Sequence, residues 1–139
     1  MTMTDIKNVF DVGARALSAQ MVRMNTVASN LANAGTVAST PEDAFRALRP
    51  VFQTEYAGAF DQGLSTTNVD GVVMLDREPE QLFRPDHPSA DKDGFVYAAA
   101  VNPEEEMVEM VEASRQYQNT LETMTTLRAL MARTVQMGQ

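Results

Sequence analysis

Both ends of this 139-residue chain carry long amphipathic segments, and the region between them does not. Apolar residues recur every three or four positions from Met3 to Ala34 and again from Met107 to Val135. A steady period of 3.5 residues is typical of helices that pack along a seam against other helices. Two such stripes, far apart in the sequence, predict that the two ends of the chain meet in space.

The heptad frame of each segment defines its seam positions. In the first helix they are Met3, Ile6, Phe10, Gly13, Leu17, Gln20, Met24, Val27, Leu31 and Ala34. In the second helix they are Met107, Met110, Ser114, Tyr117, Leu121, Met124, Arg128, Met131 and Val135. The positions that break the apolar rule are Gly13, Gln20, Ser114 and Arg128. We expect much of each stripe to face other molecules.

Capping signals place the ends of the first helix. Thr4 and Asp5 can each accept hydrogen bonds from free amide groups at its start. The Asn-Ala-Gly sequence at 33–35 is expected to close the helix, since Asn and Gly tolerate the left-handed conformation. Residues 36–41 are interpreted as a linker of small residues.

The second helix has a strong start signal. Asn102 can accept amide hydrogens, Pro103 suits the first helical position, and the three glutamates at 104–106 face the positive end of the helix dipole. No helix breaker follows before Gly138, so we expect about 35 helical residues, on the order of 50 Å at 1.5 Å per residue. A helix of that length has to project from a domain of this size.

The middle of the chain reads as short strands and turns. Strands are expected at 47–56, 71–75, 81–84 and 95–99, a mobile loop at 58–71 and turns at 85–94. The predicted fold class is α+β, with long N- and C-terminal helices pairing as a coiled coil and a small β-rich middle segment. The helical core comprises residues 1–35 and 102–139, and the middle segment comprises 36–101.

The charge of the chain excludes several classes of partner. Nineteen acidic and eleven basic residues give a net charge of −8, and the chain has no cysteine. An acidic protein without a basic stripe is a poor candidate for binding nucleic acid or an anionic membrane. No apolar run approaches the roughly 20 residues that span a bilayer. Asp5 and Asp11 interrupt the region where a signal peptide would be basic and then apolar, so any export is expected without cleavage.

Residue types that could support catalysis or metal binding are sparse. His87 is the only histidine, and zinc sites need further His or Cys ligands. The segment 89–94 contains Asp-Lys-Asp-Gly but lacks the first acidic ligand and the final glutamate of a calcium loop, so a tight turn is the better interpretation. The glutamates at 104–106 are explained by the helix dipole. We predict no catalytic residues, no cofactor and no metal.

A family resemblance lies in the first helix. Residues 16–36, ALSAQMVRMNTVASNLANAGT, closely resemble the N-terminal signature of bacterial flagellar rod, hook and hook-associated proteins. Further motifs at 86–96, 101–107 and 114–118 resemble, in the same order, those of proximal rod proteins in this family. The chain departs from the family pattern at Met21, at Asn102 and across 54–71.

The resemblance implies a structural, non-enzymatic subunit of the basal-body rod within the periplasm. Such a subunit would leave the cell through the flagellar type III export apparatus without signal cleavage. It would polymerise with other rod proteins and copies of itself into the drive shaft, and contact the basal-body base, meaning the membrane ring or export gate. Its helices would form the inner tube, and its middle segment would face outward.

The expected assembly interface combines seam residues with asparagines of the signature, whose amides would bond across subunits or close the helix. Its residues are Leu17, Met24, Asn25, Asn30, Leu31, Asn33, Met107, Met110, Tyr117, Leu121, Met124 and Met131.

Three alternatives remain open at this stage. One is a different short flagellar rod protein, and a second is a helical export adaptor or chaperone, which would lack the signature and stay in the cytoplasm. A third is a rod-associated peptidoglycan hydrolase, against which the lack of a plausible acid/base pair argues.

Overall fold

The computed structural model describes residues 3–56 and 65–137, with side chains from 9–54 and 67–137. The fold is α+β, as predicted, with one long helix at each end of the described chain. The elements are α1 (Met3–Asn33), β1 (Val37–Ala38), β2 (Leu48–Tyr56), β3 (Ser65–Met74), β4 (Gln81–Phe83), β5 (Phe95–Ala98) and α2 (Pro103–Met137).

The two helices lie side by side and run antiparallel. Met124 of α2 lies over Gly13 near one end of the pair, and Glu106 bonds to Asn30 near the other. The 35 residues of α2 span on the order of 50 Å. On another face, α1 packs against β2 and β3, so the first helix lies between the second helix and a β-ribbon.

The start of α2 agrees with its predicted cap. The Asn102 Oδ1 atom accepts hydrogen bonds from the amides of Glu104, at 3.0 Å, and Glu105, at 3.4 Å. Its side-chain amide donates in return to the Glu105 carboxylate at 3.2 Å. These bonds satisfy amides that a helix leaves free in its first turn, and the glutamates complement the dipole.

The end of α1 is at Asn33, as predicted, but the expected left-handed closure is wrong. Among the described residues, Gly94 alone has a positive φ. The Ala34 amide instead donates to the Leu31 carbonyl at 3.3 Å. The Thr36 amide and hydroxyl both donate to the Asn33 carbonyl, at 3.1 and 2.7 Å. A tightened last turn and one threonine therefore satisfy these free carbonyls.

The strands form two small antiparallel sheets. One sheet has the order β1-β5-β4, and the other is the two-stranded ribbon of β2 and β3, whose register shifts between Val51 and Phe52. The expected linker at 36–41 therefore contains a strand. The loop expected at 58–71 is wrong from Ser65 onward, where β3 begins, and residues 57–64 lie outside the described part of the chain.

The tight turn predicted at 89–94 is present. Gly94 has a φ of 83°, and its amide donates to the Asp91 carbonyl at 3.1 Å. The Asp91 Oδ1 atom accepts from the amides of Asp93 and Phe95, at 2.9 and 2.8 Å. The carboxylate thus holds the loop that connects β4 to β5.

The core is small and is shared by the two helices, strand β5 and the segments that precede β2 and follow β5. It is built mainly from alanine and valine: Ala19, Val27, Ala44, Ala47, Val96, Ala99, Ala100 and Ala113. Side chains of this size let backbones approach closely but bury little apolar area. Hydrogen bonds and ion pairs therefore contribute much of what fixes the relative positions of the elements around this core.

Gly13 fits the helix pair because it lacks a side chain. A Cβ atom there would lie 2.6 Å from the sulfur of Met124. We expect Gly13→Ala to lower the free energy of unfolding by about 1 kcal/mol, because displacing Met124 outweighs the higher helix propensity of alanine. In a Met124→Ala background the same change should instead raise it by about 0.5–1 kcal/mol. Urea unfolding of the four chains measures both effects, and equal effects in the two backgrounds would contradict this packing.

Candidate assembly surface and its polar support

A buried polar cluster joins α1, β2 and α2. Asn30 and Glu106 are 0% and 1% exposed. The Asn30 side-chain amide donates to the Leu48 carbonyl at 2.9 Å and to Glu106 Oε2 at 3.0 Å, and its oxygen accepts from the Leu48 amide at 2.8 Å. The Asn30 side chain thus bonds to both the amide and the carbonyl of Leu48, as the main chain of a neighbouring strand would. We call Asn30, Arg49 and Glu106 the polar junction.

Arg49 supplies the charge that balances Glu106. Its two terminal nitrogens lie 2.9 and 2.6 Å from the two carboxylate oxygens, the bidentate geometry of a strong ion pair. The hydrogen bond to Glu106 raises the pKa of the Arg49 guanidinium above its ordinary value, although partial burial opposes that shift. Arg49 therefore remains charged wherever the protein is folded, and the buried carboxylate has a permanent partner.

Polar contacts continue along the helix pair. The Gln20 amide donates to Gln116 at 2.9 Å, and the Arg23 Nε atom donates to Glu109 at 3.0 Å. Gln20 and Gly13 were the two exceptions to the apolar frame of the first helix, and each lies against a specific residue of α2. Polar pairs within a helix seam fix its register, because a shift would leave them unpaired.

The seam of α2 differs from the predicted frame in one of its two rows. The row Met110, Tyr117, Met124 and Met131 is half-buried. The other row is one position earlier than predicted and contains Glu106, Ala113, Thr120 and Leu127, all buried or half-buried. Of the residues predicted for that row, Met107, Leu121, Arg128 and Val135 are exposed and Ser114 is half-buried. The heptad pattern requires an apolar residue in this row and therefore did not include Glu106, whose carboxylate Arg49 and Asn30 stabilise.

The other predicted interface residues divide by exposure. Leu17, Met24 and Leu31 are half-buried and Asn25 is exposed. Asn30 is buried, and its side chain bonds to Leu48 and Glu106 within the chain, whereas a bond to another subunit or to the end of the helix was expected. Asn33 donates to the Ser29 carbonyl at 2.8 Å, one turn earlier in its own helix.

Large apolar side chains remain exposed on α2 and on the ribbon. On α2 they are Met107, Val108, Val111, Leu121, Leu130, Val135 and Met137. On the ribbon they are Val51, Phe52, Val72, Val73 and Met74. Exposed apolar patches of this extent mark surfaces that contact other molecules.

The described residues offer little for catalysis or for binding a metal. His87 is half-buried in a turn, where its Nδ1 atom accepts from the Ser89 amide at 3.1 Å. Within 3–56 and 65–137, no three His, Cys, Asp or Glu residues are grouped so that they could hold a metal ion. In the same ranges, neither helix is apolar enough over a sufficient length to span a bilayer.

Comparison with known proteins assigns the two helical ends to one group of families. Residues 10–37 match the family model described as "Flagella basal body rod protein". Residues 92–137 match the model described as "Flagellar basal body rod FlgEFG protein C-terminal". These two matches cover the signature of α1 and all of α2 together with β5.

Whole-length relatives carry the same name. The chain is 37% identical over 134 residues to the flagellar basal-body rod protein FlgC of Salmonella typhimurium, with 95% of this chain and 97% of the relative covered. It is 39% identical to FlgC of Yersinia enterocolitica over the same coverage, and 36% identical to FlgC of Aquifex aeolicus, with 95% and 96% covered. Identity at this level over the full length of distant relatives shows that the chain belongs to the FlgC family of flagellar basal-body rod proteins.

Proposed function

We propose that this chain forms the proximal part of the rod by packing its two terminal helices, paired as a coiled coil, against those of neighbouring subunits. Membership of the FlgC family makes the chain a structural component of the flagellar basal body, located in the rod, and not an enzyme. The family does not by itself say which surfaces meet. That part of the proposal rests on the exposed residues of α2.

The exposure of apolar residues on α2 is the observation that carries the proposal. One row of this helix packs against α1, yet Met107, Val108 and Val111 on other faces are 59%, 69% and 52% exposed. Leaving side chains of this size in water forgoes roughly 1.5–3 kcal/mol each relative to full burial. A helix that is apolar on more than one side is suited to contact more than one neighbour.

Residues of the expected interface take two roles in this proposal. The half-buried rows, which include Leu17 and Met24 in α1 and Tyr117 in α2, hold the helix pair together. The exposed residues Met107 and Leu121, together with Asn25, face neighbouring subunits. The polar junction lies beneath this surface and fixes the angle between the helices and the ribbon.

The remaining partners follow from the same role. A rod subunit has to cross the inner membrane, so we infer export through the flagellar type III apparatus without cleavage. Its neighbours in the rod would be other rod proteins and copies of itself, with the membrane ring or export gate at the base. An adaptor or chaperone that remains in the cytoplasm fits these relatives less well, since every relative compared is named as a basal-body rod protein.

Deletion and complementation test the proposed function. We expect loss of the gene to abolish swimming and to leave basal bodies without a rod in electron tomograms, and the unmodified chain to restore both. Met107→Glu and Leu121→Glu alter exposed side chains, so these variants should fold normally by circular dichroism yet restore swimming poorly. Lys92→Glu in the turn before β5 is the matched control and should complement fully. Normal rods in the deletion strain would contradict the proposal.

A further inference from the structure

The two halves of α2 carry opposite charge. Residues 103–112, which we call the acidic end, contain five glutamates and no basic residue. Residues 113–137, the basic end, contain three arginines and one glutamate. Because α2 rises about 1.5 Å per residue, Arg128 and Arg133 lie roughly 24 and 32 Å beyond Glu112 along its axis, whereas Arg115 lies within one turn of Glu112.

The arginines of the basic end form no ion pair among the residues whose side chains the structure describes. Arg115, Arg128 and Arg133 are exposed, and none of them forms an ion pair with any residue that the structure describes. At the acidic end, Glu104 is likewise exposed and unpaired, and Glu112 accepts only from the Gln116 amide, at 2.7 Å. Each end therefore presents charge available to another molecule.

Exposed apolar side chains accompany the charge at both ends. Val108 lies at the acidic end in a shallow groove that it lines with Arg49, Asn102, Glu104, Glu105 and Glu109. At the basic end, Leu130, Val135 and Met137 are 54%, 66% and 81% exposed. An apolar contact surrounded by opposite charges gives both affinity and a defined orientation.

We propose that the basic end of α2 in one subunit docks on the acidic end of α2 in a second copy of this chain. This inference rests on the proposed function and adds which surfaces meet and what selects them. Pairing of like ends would bring glutamates to glutamates or arginines to arginines. Pairing of opposite ends neutralises both and covers the exposed apolar side chains.

The middle of α2 favours a short overlap of ends over full side-by-side pairing of two α2 helices. The surface there that leads toward Leu130 is lined mainly by polar residues, including Asn119, Glu122, Thr123 and Thr126. Burying this stretch would desolvate polar groups without supplying partners for them. A contact between two different ends is heterologous, so it leaves one free end of each kind and continues into a chain of subunits.

Charge reversal with rescue tests the contact. Sedimentation velocity of the full chain at about 0.1 M salt should show association beyond dimers as its concentration rises. At about 1 M salt the Debye length falls from about 10 to about 3 Å, and the association constant should fall at least about tenfold. Arg128→Glu/Arg133→Glu and Glu104→Arg/Glu112→Arg should each cause a loss of the same order at low salt. Arg84→Glu/Lys92→Glu, on the β-side of the molecule, is the matched control and should change little.

Combining the two reversals separates a specific contact from an effect of net charge. The fourfold variant has both ends reversed and should regain association beyond dimers. An equimolar mixture of the two double variants should likewise associate beyond dimers, in alternating order, because both ends of one variant then meet ends of opposite charge on the other, whereas each double variant alone should not associate. Circular dichroism confirms that each variant is folded.

Three outcomes would overturn the inference. The first two are no association of the unmodified chain at low salt and an association constant that the charge reversals leave unchanged. The third is assembly that stops at dimers in both the unmodified and the fourfold chains, which would indicate two-fold pairing. None of these depends on complementation. If the unmodified chain restores the rod in cells but does not associate with itself, the proposed function stands and the head-to-tail contact between copies is rejected.

Discussion

Replacing Arg49 with methionine is expected to lower the free energy of unfolding by about 3 kcal/mol. The substitution keeps most of the apolar stem but leaves the Glu106 carboxylate, which is 1% exposed, without its cation. Removing one partner of a buried ion pair costs about 3–5 kcal/mol, and the lower end applies because the Arg49 side chain is itself 26% exposed. Urea unfolding followed by circular dichroism measures the change, which should also lower the melting temperature by roughly 10 °C.

Two further chains show whether charge is the cause. In a Glu106→Gln background, which keeps an oxygen for Asn30 but removes the negative charge, Arg49→Met should cost no more than about 1 kcal/mol. Arg77→Met is the matched surface control, because Arg77 and Glu105 pair at 3.2 Å with both side chains nearly half exposed. That change should stay within about 0.5 kcal/mol. An equal cost of Arg49→Met in both Glu106 backgrounds would mean that lost packing, not an unpaired carboxylate, destabilises the chain.

The start of α2 and the end of α1 were predictable because their signals are local. Asn102 caps α2 through its own neighbours, and α1 ends at Asn33, where the sequence turns to small and polar residues. The conformation that closes α1 was not predictable from the same residues. Thr36 satisfies the Asn33 carbonyl twice, which makes a left-handed glycine unnecessary.

The limits of prediction in the seam have a physical origin. A heptad template counts apolar residues, so it selected Met107 over Glu106 in α2. Glu106 can be recognised as the seam residue only when its contacts with Arg49 and Asn30 are known, and both of these residues are distant from it in the sequence. Likewise Gly13 broke the apolar rule in the sequence, but it is the residue that makes room for Met124.

The ribbon was harder to predict than the helices because it is exposed on much of its surface. Strand β3 contains Asn68, Asp70 and Gly71, which are typical of loops. Pairing with β2 on both sides of the register shift, which leaves Asp70 without a partner in β2, outweighs these preferences, since strand propensity depends strongly on the neighbouring strand. In the family signature, the sequence drew attention to Asn30 without indicating that its side chain bonds to Leu48 and Glu106 within the chain.

Asn30→Asp is the substitution that most directly tests the new role of this residue, and we expect it to cost about 3–4 kcal/mol at neutral pH. The new carboxylate oxygen would replace a nitrogen that donates to the Leu48 carbonyl at 2.9 Å and to Glu106 at 3.0 Å. The Leu48 carbonyl and the Glu106 carboxylate would then face a third acceptor in a site with no exposure to water, and Arg49, whose Nη1 atom already donates to both groups, offsets only part of this repulsion. The helix and the ribbon would lose one of the two bonds that join Asn30 to Leu48.

Protonation offers an internal check on this prediction, because an uncharged carboxyl group can donate one of the lost bonds. Burial beside Glu106 should raise the pKa of the introduced carboxyl above its unfolded value of about 4. A group with a raised pKa in the folded state binds its proton more tightly there, so its destabilising effect is absent below about pH 4 and grows as pH rises through the folded pKa. The loss in free energy of unfolding relative to the unmodified chain should therefore be smaller at pH 5 than at pH 7.

Asn33→Asp is the matched control, since Asn33 is half-buried and donates to Ser29, and it should cost about 1 kcal/mol or less. If the two aspartate variants unfold with the same free energy at neutral pH, Asn30 does not hold the helices and the ribbon together.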